Sequence, residues 1–140
     1  MRLRWKRAGA GAVAAIVWGL LEPVDQRLFR SDYSDIAVLG KAFTRGPVWR
    51  PLGFALHGLN GAIFGLAFHE VARRVTRDPR RLALELALVE HLALFSTGRL
   101  VDRYHPAHGE PGVPSLMSAS VFGQATVRHT VFGLALGRLV

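Results

Sequence analysis

The chain contains no cysteine, and this absence removes several classes of chemistry at once. Disulfides, thiolate metal sites, cysteine nucleophiles and covalently attached c-type haem all require a thiol. Charged residues are also few, at 20% of the chain, and their clustering leaves uncharged runs such as Pro51–His69 and Pro111–Val127. The sequence also lacks the glycine-flanked serine of hydrolases and any phosphate-binding glycine loop, so the prediction leans against an enzyme.

What the chain has instead is apolar sequence, since half of its 140 residues are hydrophobic. Four stretches predict membrane-spanning helices at about residues 8–28, 51–69, 82–99 and 115–137. The first apolar run, Ala8–Leu21, covers only about 21 Å as a helix, so this helix is expected to continue past Pro23 to Leu28. The predicted fold is therefore all-α: one membrane domain in which four transmembrane helices form a small bundle.

The connection between the first two spans predicts a further short helix. Asp32 is a candidate N-cap, and Ile36, Leu39 and Phe43 recur at helical spacing. Such an apolar stripe is typical of an interfacial helix on the membrane surface.

The basic residues outnumber the acidic ones by 18 to 10, for a net charge of +8, and their placement flanks the predicted spans. Four precede the first span, and five arginines lie between positions 73 and 81. Short basic loops of this kind stay in the cytoplasm and contact anionic lipid. The charge therefore predicts a lipid bilayer as partner rather than nucleic acid, with both termini cytoplasmic. The bias toward arginine, alanine and glycine favours a bacterial source, and hence the bacterial inner membrane.

Glycines recur within the second and fourth spans at spacings that allow close helix packing. Small residues let helix backbones approach each other in lipid, where hydrophobicity gives no drive for association. A bundle of this size encloses little, so the same residues also favour a homo-oligomer or a membrane partner subunit. The predicted packing glycines are Gly58, Gly61, Gly65, Gly133 and Gly137.

Polar side chains inside the predicted spans are the main functional candidates, because ionisable groups at bilayer depth are costly and need partners. A rise of 1.5 Å per residue places them in two layers, about 12–14 Å and about 18–21 Å from the cytoplasmic helix ends. Within this set the simplest ion pair is Glu90 with Arg128, since a guanidinium does not deprotonate in hydrocarbon. The inner layer contains Asn60, Glu90, His91, Arg128 and His129, and the outer layer contains Glu22, His57 and Gln124.

Three interpretations of this polar cluster stay open. The first is structural: the cluster fixes the bundle of a non-enzymatic scaffold or accessory subunit. The second is a transport pathway for a proton, an ion or a small polar solute. The third is redox chemistry, in which His91 and His129, matched in depth, ligate a haem, with His57 as a further histidine. The first is preferred, and no cofactor is predicted outside the haem alternative.

One loop carries a weaker signal. His105 and His108 lie three residues apart between acidic residues, a pattern that suits Zn²⁺ or Cu²⁺. The surrounding prolines and glycines favour a stiff solvated turn instead. No metal site is therefore predicted here, and His105 and His108 stay weak candidates.

Overall fold

Six helices and no strands make up the chain in a computed structural model that describes residues 1–140, which confirms the all-α class. The four long helices correspond to the four predicted spans, and two short helices lie in the connections. In chain order the helices are α1 Arg2–Phe29, α2 Asp35–Lys41, α3 Trp49–Ala72, α4 Pro79–Ser96, α5 Gly98–Tyr104 and α6 Ala119–Leu139.

Two of these helices, α1 and α3, are long and apolar enough to cross a membrane. The other two long helices carry more polar residues. Within its 18 residues α4 contains two arginines and two glutamates, and α6 contains Gln124, Arg128 and His129 near its middle. The sequence prediction of a membrane protein is thus supported at the level of two candidate spans.

Local signals set the helix ends and correct three predicted boundaries. The N-cap of α2 is Ser34, whose hydroxyl accepts from the Ala37 N–H, and not Asp32, whose carboxylate instead accepts from the Gly112 N–H. Asp78 caps α4, which begins at Pro79, three residues before the predicted start. The predicted third span is divided, because α4 ends at Ser96 and a separate helix α5 begins at Gly98.

The long helices lie side by side in the order α3, α1, α6, α4. The short helix α2 packs across α3. The backbones of α3 and α4 come close at few positions, but side chains of both helices share one buried hydrophobic cluster with α6. We call the end of the bundle with the chain termini and residues 73–78 the terminal end. The opposite end, with residues 30–48 and 97–118, is the α2 end.

Glycines occupy the close contacts between the helices. In the α1–α3 contact, a Cβ added at Gly61 would meet the Gly11 carbonyl and lie 2.6 Å from the Ala15 Cβ. Gly58 and Gly65 lie on the same side of α3, against the side chain of Ile16 and the backbone of Arg7 and Ala8. In the α4–α6 contact, a Cβ at Gly133 would lie 2.8 Å from the Leu84 Cα, and one at Gly137 would lie 2.9 Å from the Arg80 Cα.

Candidate functional site: a buried charge network beside a cavity

Arg128, on α6, is the largest fully buried side chain of the molecule and is paired with three carboxylates. Its Nε and Nη2 donate to the two oxygens of Asp25, on α1, at 2.6 and 2.9 Å. Its Nη1 donates to Asp35, on α2, at 2.8 Å, and to Glu22, on α1, at 3.4 Å. One guanidinium therefore joins three helices near the α2 end, with a bidentate geometry toward Asp25.

Neighbouring polar groups complete this arrangement. The Tyr33 carbonyl accepts from Arg128 Nη2 at 2.9 Å, and the Tyr33 ring lies 4.8 Å from the guanidinium carbon. The Tyr33 hydroxyl donates to Asp35 at 2.6 Å, and the Gln124 amide donates to Asp25 at 2.9 Å. We call this set the Arg128 network: Glu22, Asp25, Tyr33, Asp35, Gln124 and Arg128.

Asp35 and Tyr33 lie in the connection between α1 and α3, and their pKa values show the electrostatic effect of the Arg128 network. Burial alone would raise the pKa of Asp35, but the charge of Arg128 and the hydrogen bond from Tyr33 lower this pKa to about 2. Burial, followed by the adjacent Asp35 carboxylate, raises the pKa of Tyr33 well above its ordinary value. Asp35 is therefore a fixed anion and Tyr33 a fixed hydrogen-bond donor across the accessible pH range.

The predicted ion pair between Glu90 and Arg128 is wrong, because Arg128 is paired with the carboxylates of α1 and α2. The reason lies in the direction in which each side chain leaves α6. Successive residues of a helix point about 100° apart around its axis. Arg128 faces α1 and α2, whereas the next residue, His129, faces Glu90 on α4. Equal depth of the two Cα atoms therefore does not bring the Glu90 and Arg128 side chains together.

Sequence reasoning missed two of the three acids that pair with Arg128. Glu22 was a predicted member of the polar cluster, but Asp25 and Asp35 were not. One signal was present: Glu22 and Asp25 are three residues apart on one helix, so they share a face. Asp35 lies in a connection, and no periodic pattern ties it to the helix interior.

His91 acts as a tie between α4 and α6. His91 Nε2 forms a 2.9 Å hydrogen bond with the Thr126 hydroxyl, which also lies 2.8 Å from the Phe122 carbonyl. The His91 side chain is buried, and its ring centroid lies 5.0 Å from those of Phe122 and His129.

His129 and Glu90 face each other without a hydrogen bond. The Nδ1–H of His129 donates to the Ala125 carbonyl at 2.8 Å, since that oxygen can only accept. The other ring nitrogen, Nε2, lies 3.9 Å from the nearer Glu90 oxygen, which is too long for a hydrogen bond.

The histidine pair considered for haem ligation is in direct ring contact. His91 and His129 have ring centroids 5.0 Å apart with an interplanar angle of 38°. A macrocycle between these two rings would require α4 and α6 to move apart at their glycine contacts.

A cavity of about 250 Å³ lies between the helices, next to the Arg128 network. Polar side chains from α3, α4 and α6 line it: His57, Asn60, Glu90, His91 and His129, with Arg128 and Asp35 at its border with the network. Most of the remaining lining is hydrophobic and includes Trp18, Phe64, Phe95 and Phe132. The structure thus divides the predicted polar cluster: Glu22, Gln124 and Arg128 belong to the network, while the others line the cavity.

Two polar atoms of the cavity lining are buried without a hydrogen-bond partner, namely His57 Nε2 and Trp18 Nε1. The Glu90 carboxylate, whose side chain is 26% exposed, has no hydrogen-bond donor among the protein groups that surround it. Buried polar groups in folded proteins are nearly always paired. The cavity lining therefore holds unused hydrogen-bonding capacity.

The loop at the α2 end uses its histidines structurally. His105 Nε2–H donates to the Val38 carbonyl at 2.8 Å, and His105 Nδ1 accepts from the Ala107 N–H at 3.1 Å, so neither ring nitrogen is free for a metal. His108 lies 3.9 Å from Asp102. No group of three or more histidine, aspartate or glutamate side chains is placed to hold a metal ion.

Comparison of the chain with protein-family models, with curated proteins and with solved structures finds no match.

Proposed function

We propose that this chain is a four-span membrane protein that binds a small molecule in its central cavity, without covalent chemistry. The Arg128 network is the structural part of this proposal, and the cavity is the binding part. The bacterial inner membrane, with both termini cytoplasmic, is the proposed location.

Exposed surfaces support four spans rather than two. The outward faces of all four long helices carry large apolar side chains, while an arginine that is 2% exposed lies inside. The exposed residues recur at helical spacing, which is the pattern of lipid-facing stripes. At 1.5 Å per residue, α4 and α6 reach about 27 and 31 Å, close to the thickness of a hydrocarbon core of ~30 Å. The exposed side chains are Val13, Val17, Leu20 and Val24 on α1, Leu59 and Ile63 on α3, Val89 and Leu92 on α4, and Val127, Val131 and Leu134 on α6.

The observation that carries the binding proposal is the set of unpaired polar groups around the cavity. In the Arg128 network every nitrogen of the guanidinium has an acceptor, and one amide oxygen, Gln124 Oε1, is left without a donor. In the adjacent cavity, His57 Nε2 and Trp18 Nε1 are buried without a partner, and the Glu90 carboxylate accepts no hydrogen bond. Polar groups that line a cavity and have no partner in the protein are available to a ligand.

The volume fits one small organic molecule. An apolar cavity of roughly 150 Å³ holds benzene, so a cavity of about 250 Å³ accommodates an aromatic ring with a short substituent.

Trp18 supplies a native reporter for the test because it lines the cavity, whereas Trp5 and Trp49 do not. Changing Trp5 and Trp49 to phenylalanine leaves Trp18 as the single tryptophan. The reporter protein in lipid nanodiscs is titrated with 2-phenylethanol, and Trp18 fluorescence is recorded. We expect a saturable change above the linear response that results from partition of the alcohol into lipid.

Two matched variants locate the effect. Asn60→Phe extends an exposed side chain of the cavity lining into the cavity, whereas Leu59→Phe enlarges a side chain on the neighbouring outward face, which is 56% exposed. The saturable signal should disappear in Asn60→Phe and persist in Leu59→Phe. A wild-type response that stays linear, or a saturable response unchanged in Asn60→Phe, contradicts binding in this cavity.

A further inference from the structure

Glu90 is the acid of the cavity that the protein leaves unneutralised. Two carboxylates line the cavity, and Asp35 already accepts from Arg128 and from the Tyr33 hydroxyl. Glu90 accepts a hydrogen bond from neither Arg128 nor Tyr33. The one basic side chain within 4 Å of its carboxylate is His129, whose Nε2 lies 3.9 Å away. The Glu90 carboxylate is therefore available to accept a hydrogen bond from a ligand.

The tautomer of His129 sharpens this point. Because Nδ1 donates to the Ala125 carbonyl, a neutral His129 turns the lone pair of Nε2 toward Glu90. Two hydrogen-bond acceptors then lie 3.9 Å apart. A single N–H-bearing nitrogen placed about 2.8–2.9 Å from each would donate to both.

The charge around the cavity also favours a positively charged ligand. The cavity and the Arg128 network together contain four carboxyl groups, on Glu22, Asp25, Asp35 and Glu90, and one cationic side chain, on Arg128. The region therefore has an excess of carboxyl groups over cationic side chains, and charges that are partly shielded from water interact more strongly than they do in bulk water. A positively charged ligand relieves this excess, and an anion adds to it.

The rest of the lining selects against a metal ion and for an organic cation. Hard cations take six or more oxygen ligands, whereas the free donors here are one carboxylate, one carboxamide and imidazole nitrogens. Trp18, Tyr33, Phe64, Phe95 and Phe132 supply aromatic faces around the same space. Aromatic faces attract ammonium groups and bury apolar carbon.

We infer that the cavity binds an organic ammonium ion with an apolar body, whose nitrogen lies between Glu90 and His129 and whose body packs against the aromatic wall. This inference rests on the proposed function, since it names the class of ligand for the same cavity.

The test uses two probes with the same carbon skeleton, 2-phenylethylammonium and 2-phenylethanol, titrated into the Trp18 reporter protein in nanodiscs of zwitterionic lipid. A hydrogen bond to a charged partner predicts that the ammonium probe binds about ten- to hundredfold more tightly than the alcohol. Glu90→Gln should remove this preference by lowering the affinity for the ammonium probe toward that for the alcohol, and saturable binding of the alcohol that persists in the variant shows that it is folded. Glu85→Gln is the matched control, because Glu85 is an exposed glutamate on the same helix, paired with Arg77.

The outcomes separate the two proposals. Saturable binding of both probes with equal affinity overturns the ammonium inference and leaves the cavity as a binding site. A preference for the ammonium probe that survives in Glu90→Gln also overturns it, since the charge is then recognised elsewhere. Absence of saturable binding for either probe overturns the proposed function itself.

Discussion

At the scale of single residues, the position of Arg128 explains most of the polar interior. A guanidinium stays charged at bilayer depth, so it requires acceptors on several sides. Asp25 satisfies two of its nitrogens, and Asp35, Glu22 and the Tyr33 carbonyl satisfy the rest. This arrangement fixes the rotation of α6 relative to α1 and leaves Glu90 to the cavity.

Because Arg128 is paired with Asp25 and not with Glu90, two conservative substitutions should differ in their effect on the free energy of unfolding. Asp25→Asn removes the charge that accepts two bonds from Arg128, so the free energy of unfolding should fall by about 2–3 kcal/mol. Glu90→Gln removes a carboxylate that accepts no hydrogen bond, and its effect should stay below about 0.5 kcal/mol. Reversible unfolding in detergent, measured by circular dichroism, gives both values. Equal losses, or a larger loss in Glu90→Gln, would return Glu90 to the role of counterion.

Sequence reasoning reached part of this site. It identified Glu22, Gln124 and Arg128 as buried polar residues, because a charge within an apolar helix stands out. It chose the wrong partner for Arg128, because depth along the helix was used without the direction in which the side chain points around the helix axis. It missed Asp35 because the position of a residue in a connection depends on how the connection folds back over the bundle.

At the scale of helices, close packing through glycine organises both helix pairs. The start of α4 was predicted three residues too late, although Asp78 followed by Pro79 is a recognisable cap signal. The start of α2 was missed because two caps competed, Asp32 and Ser34, and hydrogen bonding to Gly112 decides between them. The break between α4 and α5 has no proline to mark it.

The α1–α3 contact predicts that a large side chain at Gly61 is not tolerated. In Gly61→Leu, the new Cβ alone meets Gly11 and Ala15, so the two helices must separate. Overpacking of this kind costs about 1–3 kcal/mol or more. Gly9→Leu is the matched control on α1, because nothing lies within 4 Å of a Cβ there. It should be neutral or stabilising by up to about 1 kcal/mol through helix propensity. Similar unfolding temperatures for the two variants would show that α1 and α3 do not pack through Gly61.

Asp102, on α5, predicts a pH-dependent ordering of the segment before α6. Its carboxylate accepts from the Ser115 hydroxyl at 2.9 Å and from the Leu116 and Met117 N–H groups at 2.6 and 3.2 Å. Burial acts to raise the pKa of Asp102, but these hydrogen bonds, with Leu116 first, lower it below its ordinary value. A lowered pKa in the folded state means that the stabilisation is complete above the unfolded value of about 3.9. It is lost as the pH falls through the folded value.

Amide hydrogen exchange at Leu116 and Met117 measures this effect. Protection, corrected for intrinsic exchange, should be constant near neutral pH and should decrease below about pH 4. In Asp102→Asn, protection should be lower at neutral pH and independent of acidification. Loss of protection on raising the pH instead would contradict the assigned sign.

At the scale of the whole molecule, apolar side chains lie on the outside of the bundle as well as in its core. Leucine, valine and isoleucine side chains face outward on all four long helices, while an arginine, a glutamine and acidic residues are buried beside the hydrophobic core. In lipid such an arrangement is favourable, because the outward faces match the acyl chains and Arg128 is paired with carboxylates. The apolar outward faces are the reason for proposing that α4 and α6 cross the membrane as α1 and α3 do.

The topology of the connections distinguishes four membrane spans from two. Because the chain contains no cysteine, cysteines introduced one at a time can be labelled without background from native thiols. Single cysteines at Phe43, Thr76 and His108, all exposed in connections, are labelled with a membrane-impermeant maleimide in right-side-out and inside-out vesicles. The account predicts that Phe43→Cys and His108→Cys are labelled in right-side-out vesicles, and that Thr76→Cys is labelled only in inside-out vesicles. Labelling of His108→Cys on the same side as Thr76→Cys would show that α4 and α6 do not cross, and would contradict the four-span account.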